Sequence, residues 1–148
     1  MKIFEVTRIK LGSGRSDNTT AFLADIDKIT TEHPFDSRSR ILKNASIEVS
    51  AYDKDIHISD IRSLLPRTGA GTEAMKILTN LADKHHVRLH LIAKAYSKDP
   101  KYVTDTVKLI KWYSSLGFVV DDEFLDDDAI EHGDYEGYDE VEMVYYPR

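Results

Sequence analysis

The sequence predicts an α/β chain of the α+β kind, with a mixed, mostly antiparallel twisted sheet, a parallel strand pair at its centre and flanking helices. Two observations lead there. Several segments alternate apolar and polar residues, the two-residue period of a strand with one wet face. One of them runs into a glycine-rich turn and an amphipathic helix before a further strand begins at residue 87. That order is a β-α-β crossover, which requires a parallel pair.

Taken in order, residues 1–10 alternate as a strand, and LGSGRSD is a turn. A helix is expected from Asn18 or Thr19 to about Thr31, with Phe22, Leu23, Ile26 and Ile29 at helical spacing. HPFDSRSR breaks it, because a residue before proline avoids the helical region. Residues 40–63 read as strands, with Ile47, Val49 and Ala51 alternating against Glu48 and Ser50. Tyr52-Asp53-Lys54-Asp55 makes the hairpin turn. Beyond it Ile56, Ile58 and Asp60 are expected on one face, and His57, Ser59 and Ile61 on the other.

The helix after the glycines is expected over residues 71–84, with Ala74, Ile77, Leu78 and Leu81 as its apolar stripe. Val87, Leu89, Leu91 and Ala93 mark the next strand. A loop around Asp99-Pro100 follows, then a helix capped by Thr104 or Asp105 that buries Val107, Ile110 and Leu116 and stops at Gly117. Residues 118–121 start a strand, the acidic stretch to Glu140 is a long loop with turns at Gly133 and Gly137, and VEMVYYP closes the sheet as a hairpin partner.

A length of 148 residues suits a single domain with its own core. A content of 41% hydrophobic and 31% charged residues is ordinary for a soluble protein. No apolar run approaches the ~18 residues that would make a membrane span, and the N-terminus lacks the apolar core of a secretory signal. There are no cysteines, which excludes disulfides, Cys-type zinc sites and thiol catalysis and makes the cytoplasm the default compartment.

The net charge of −6 is unevenly spread. Residues 1–111 hold 19 basic against 14 acidic residues, and residues 112–148 hold Arg148 alone against 12 acids. The balance argues against nucleic acid as a partner. The acidic block is either a solvated surface or the rim of a site for a cationic acceptor.

The segment LLPRTGAGTEAMKIL, residues 64–78, carries the chemistry. A Walker-type loop needs lysine and Ser or Thr after its last glycine, and here Gly71 is followed by Thr72 and Glu73. What remains is a glycine turn at a helix N-terminus. There, unpaired amides and the helix dipole attract an anion, and Arg67 would add a charge-assisted bond.

A second motif, KLIKWYSSLGF at residues 108–118, places Tyr113 four residues before Gly117-Phe118. Together, in this order and at this separation, the two segments resemble the GNAT N-acetyltransferase superfamily over roughly residues 56–120, and more loosely small bacteriophage acetyltransferases. In that family a strand, a Gln/Arg-x-x-Gly-x-Gly/Ala loop and a helix bind the pyrophosphate of acetyl-CoA. If Gly69 and Gly71 match the motif's glycines, its Gln/Arg position falls on Pro66 and Arg67 is shifted by one.

The resemblance implies acetyl-CoA as cosubstrate, held by Ile61, Arg62 and Ser63 at the strand end and by Arg67, Thr68, Gly69, Ala70, Gly71 and Thr72, chiefly through main-chain amides. An N–H near residues 61–64 would polarise the acetyl carbonyl. Tyr113 matches the general acid that protonates the leaving thiolate. For the base, Asp60 leads Glu48 and His57.

The acceptor is then an amine-bearing small molecule, peptide or protein, of cationic character. Neither a membrane nor a metal is implied. His86 and His90 straddle a turn and a strand, and Asp126-Asp127-Asp128 lacks a calcium loop's pattern. A homodimer is left open. So is a second reading, in which the same fold is a non-catalytic CoA-binding or protein-interaction module.

Overall fold

The computed structural model describes residues 16–65, 68–94, 106–123, 125–135 and 138–148. The expected strand at residues 1–10, the turn after it, the loop around Asp99-Pro100, the Thr104 or Asp105 cap, Pro66, Arg67 and Gly137 lie outside them. The described elements are α1 (Asp17–Ile29), β1 (Thr31–Glu32), β2 (Arg40–Leu42), β3 (Ala45–Tyr52), β4 (Asp55–Ser63), α2 (Ala70–His85), β5 (Arg88–Lys94), α3 (Thr106–Ser115), β6 (Val119–Val120), α4 (Asp127–His132) and β7 (Glu140–Tyr145). The sheet has seven strands in the order β1-β2-β3-β4-β5-β7-β6 and holds one parallel pair, as the crossover through α2 requires. By compactness the chain divides into two units, Met1–Leu89 with Tyr146–Arg148, and His90–Tyr145.

In the first unit α1 and α2 touch one another and both pack on β3. Ser16 caps α1, its Oγ accepting the Thr19 N–H at 3.1 Å, so the helix starts before the expected Asn18. Phe22, Leu23 and Ile26 are buried, each removal from water stabilising by about 1.5–3 kcal/mol. Ile29, expected on the same stripe, is 46% exposed, because α1 ends there and Thr30 turns inward with its hydroxyl on the Ile26 carbonyl. Arg40 fastens this end: its Nε donates to Thr30 Oγ1, and its guanidinium pairs with Asp27 at 3.2 Å.

On α2 the buried stripe is Ala70, Ala74, Met75, Leu78, Thr79 and Ala82. Ile77 and Leu81 of the expected stripe are only half-buried. The real stripe includes a threonine and small alanines, which hydropathy alone ranks below isoleucine. At its far end Asp25 of α1 accepts from His85 Nε2 at 2.7 Å and Lys84 Nζ at 3.0 Å. These bonds hold the Asp25 carboxyl below the usual carboxylate range.

The β3–β4 hairpin turns tightly at Asp53-Lys54, with Tyr52 opposite Asp55 and Asp53 at φ 55°. Its register slips once. Glu48 faces Asp60 while Val49 faces Ile58, so Ser59 is an extra residue on β4. Opposed residues share a face. Ile61, paired with the buried Ile47, therefore lies with Ile56 and Ile58, and Asp60 lies with His57 and Glu48. The sequence expectation had these two reversed, because strict alternation has no place for a bulge.

In the second unit α3 packs on β6 and β7. Ile110, Tyr113, Phe118, Val141, Met143 and Tyr145 are buried. Of the expected stripe only Ile110 is fully so; Val107 and Leu116 are half-buried. The last hairpin is present, with Val119 opposite Val144 and Val120 opposite Met143, but β6 is two residues long. The acidic stretch is not all loop. α4 places Asp127 and Asp128 in its first turn, where the dipole favours acids. Gly133 is its left-handed C-terminal cap at φ 65°, a role different from the expected hairpin turn.

Candidate active site

The β4–α2 connection is built from the main chain outward. The Leu64 N–H is taken by the Asn44 carbonyl at 2.8 Å, which removes it from the candidate donors of residues 61–64. The Ser63 and Thr68 hydroxyls both donate to the Leu65 carbonyl, drawing the two sides of the turn together. Gly69 is the N-cap of α2, at φ 77° and ψ 13°, with no side-chain cap. A β-carbon there would meet nothing within 4 Å, so the glycine answers a backbone requirement in open space.

The first helical bond runs from the Glu73 N–H to the Gly69 carbonyl at 2.9 Å, leaving the Ala70 and Gly71 amides ahead of it. Gly69 and Thr68 are exposed, and Gly71 is half-buried. This is a donor set that fits an anion such as a pyrophosphate. One residue missed in the sequence borders it: Lys43, in the β2–β3 turn at φ 54°, pairs with Glu73 of the first helical turn at 2.7 Å. No local motif marks Lys43; it arrives through the pairing of Ala45 with Ser63. It balances Glu73, the carboxylate in the first turn of α2, which would otherwise oppose an anion at this helix end.

Of the expected residues, Asp60, Ile61, Arg62 and Ser63 stand on β4 from the bulge onward, and Thr68, Gly69, Ala70, Gly71 and Thr72 open α2. Asp60 approaches Arg62 at 3.6 Å and faces Glu48 across the hairpin. His57 shares that face and lies edge-on to Tyr52, ring centroids 5.6 Å apart. The three base candidates therefore occupy one polar face of one hairpin.

Tyr113 belongs to the second unit. It is 8% exposed, against Trp112 at 4.9 Å and Phe118 at 5.9 Å between ring centroids. Its carbonyl accepts the Phe118 N–H at 3.1 Å across Gly117, whose φ of 101° closes the helix. The ring is thereby fixed by packing and by the helix end together.

His86 is the left-handed C-cap of α2, donating its N–H to the Ala82 carbonyl, while His90 stands on β5, 3.8 Å from Glu142. Asp128, Glu131 and His132 bring their ligand atoms within 4.8 Å of one another on α4, all exposed. Among the described residues no helix is long and apolar enough to cross a membrane.

No protein-family model matches the chain, and no curated protein matches it in sequence. Among solved structures, that of the anti-CRISPR protein AcrVA5 aligns over 72% of this chain and 95% of its own, with a TM-score of 0.51 and 19% identity. The ribosomal-protein-S18-alanine N-acetyltransferase of Escherichia coli aligns over 88% of this chain and 90% of its own, at 0.47 and 15%. A nourseothricin acetyltransferase aligns over 78% and 69%, at 0.41 and 19%. At these identities the likeness is one of fold.

Proposed function

We propose that this chain, which has the GNAT acetyltransferase fold, is a single-domain N-acetyltransferase that moves an acetyl group from acetyl-CoA to a primary amine of a cationic acceptor. The observation that carries the reading is the left-handed, side-chain-free N-cap at Gly69, reached through a short turn from a bulged strand. Acetyl-CoA supplies an activated thioester and a pyrophosphate.

The amides of Ala70 and Gly71 and the α2 dipole would hold the pyrophosphate, with Thr68, Gly69 and Thr72 lining it and Lys43 balancing Glu73. Arg67 belongs to the proposal as a supplementary cation. A main-chain N–H of Ile61, Arg62 or Ser63 would polarise the acetyl carbonyl. Asp60 takes a proton from the acceptor ammonium through a water, and the Tyr113 phenol gives one to the departing sulfur. The acidic stretch around Asp126, Asp127 and Asp128 favours a cationic acceptor.

Titration of the full chain with acetyl-CoA by calorimetry is the first test, and a saturable enthalpy with a matching thermal shift is expected. Release of the free CoA thiol is then followed across polyamines, aminoglycosides and lysine peptides. No binding at millimolar acetyl-CoA defeats the proposal. Binding without transfer to any amine would leave the reading of a CoA-binding or interaction module.

A further inference from the structure

Lys43 and Glu73 come from distant parts of the chain and meet beside the open end of α2. Lys43 stands in the β2–β3 turn at φ 54°, a conformation that costs any residue with a β-carbon. Its backbone is anchored to the strand that leads to α2. The Asn44 carbonyl accepts the Leu64 N–H at 2.8 Å, and Ala45 pairs with Ser63. The ammonium is thereby carried to Glu73, Nζ donating to Oε1 at 2.7 Å.

Glu73 belongs to the first turn of α2, and its own N–H makes the first helical bond, to the Gly69 carbonyl. Side chains lean toward a helix's N-terminus, so this carboxylate lies in the field that would attract a ligand anion. It is an anion that the chain supplies to itself. The pair that holds it is a weak one. The two side chains are 60% and 53% exposed, and water and salt screen such a pair. Lysine is a compact charge on a flexible four-carbon stem, so it can change partner while its backbone stays fixed. A pyrophosphate carries more negative charge than one carboxylate and offers several acceptor oxygens.

We propose that Lys43 leaves Glu73 for the pyrophosphate when acetyl-CoA binds, and that Glu73 is a brake on that binding. The inference rests on the reading that α2 takes the pyrophosphate, and it names what sets the affinity there. With Glu73 present, the contact that Lys43 makes with the phosphate is offset by the ion pair it breaks. The carboxylate left behind repels the ligand. Affinity is held down, and spent CoA, which keeps the same pyrophosphate, leaves the more readily.

The test is a double-variant cycle on the full chain. Acetyl-CoA dissociation constants are measured by calorimetry at low salt for the parent, Glu73→Gln, Lys43→Ala and the two combined. Glu73→Gln should tighten binding about three- to tenfold. Lys43→Ala should cost about two- to fivefold in the parent, and about tenfold or more alongside Glu73→Gln, where the lysine has no partner to give up. The same coupling is expected with 3′-dephospho-acetyl-CoA, which keeps the pyrophosphate and lacks the ribose phosphate.

A loss at Lys43 that is equal or smaller alongside Glu73→Gln overturns the exchange, because a lysine that only balances Glu73 has no role once that charge is gone. So does Glu73→Gln binding no tighter than the parent with an unchanged melting curve. Coupling that vanishes with the 3′-dephospho ligand overturns the assignment to the pyrophosphate. In each of these cases the parent still binds acetyl-CoA, and the reading of α2 as its site stands. Absence of binding by the parent and by every variant defeats that reading, and this inference with it.

Discussion

Of the three glycines at positive φ that flank helices among the described residues, Gly69 and Gly117 do opposite things. Gly69, at φ 77°, starts α2 and offers no side chain, so the Ala70 and Gly71 amides ahead of the first helical bond have no side-chain cap. Gly117, at φ 101°, ends α3 and lets the Phe118 N–H close on the Tyr113 carbonyl, so the helix end answers itself. The same conformational freedom leaves one helix end open for a ligand and seals the other around a side chain. A glycine at a helix end signals function only when the backbone groups beside it stay unmatched.

The sharpest way to break this contrast is Gly71→Glu. A carboxylate in the first turn would sit where we propose that the pyrophosphate is held, and acetyl-CoA affinity should fall on the order of 100-fold with circular dichroism unchanged. Calorimetry showing undiminished binding would mean that the open amides are not the site.

Tyr113→Phe should lower turnover by roughly 100-fold while the acetyl-CoA dissociation constant stays put, because only the phenolic O–H is lost. Equal turnover would reduce Tyr113 to packing. Gly69→Ala and Gly117→Ala should each cost about 1–2 kcal/mol in urea melts, since an L-residue resists positive φ. They should differ in affinity, which falls at Gly69 and holds at Gly117. A parallel loss at both would erase the distinction.

Lys43→Ala should weaken acetyl-CoA by about two- to fivefold, more at low salt than at high. The smallest effect lies at the other end of α2. Folding lowers the Asp25 pKa through His85 first and Lys84 second. The resulting stability is complete above the unfolded carboxylate value near ~4 and is lost as the pH falls through the lowered folded value. Asp25→Asn should therefore cost under about 1 kcal/mol at pH 5, with the gap to the parent closing toward pH 2.

Much of this was legible in the sequence because it rests on period. β3, β5 and both long helices announce themselves in residue spacing, and the glycines mark the turn at Gly69 and the stop at Gly117. Lys43 was hidden because its role depends on a strand partner rather than a chain neighbour. The stripe of α2 was misjudged because burial there selects small side chains that fit between helices over the most hydrophobic ones. α4 was missed because six residues, half of them acidic, lack any apolar period.

Ser59 has a further consequence. One surplus residue sets the phase of everything after it on β4. Excising it would join Ile58 to Asp60 in a regular alternation, with Asp60 still opposite Glu48 and Ile61 still opposite Ile47, and would remove the local bend that the bulge puts in the strand. What the surplus residue contributes is therefore a bend just ahead of Asp60 and of the turn that leads to α2, and exchanging residue 59 for another, which keeps that bend, disturbs the strand less than deleting it.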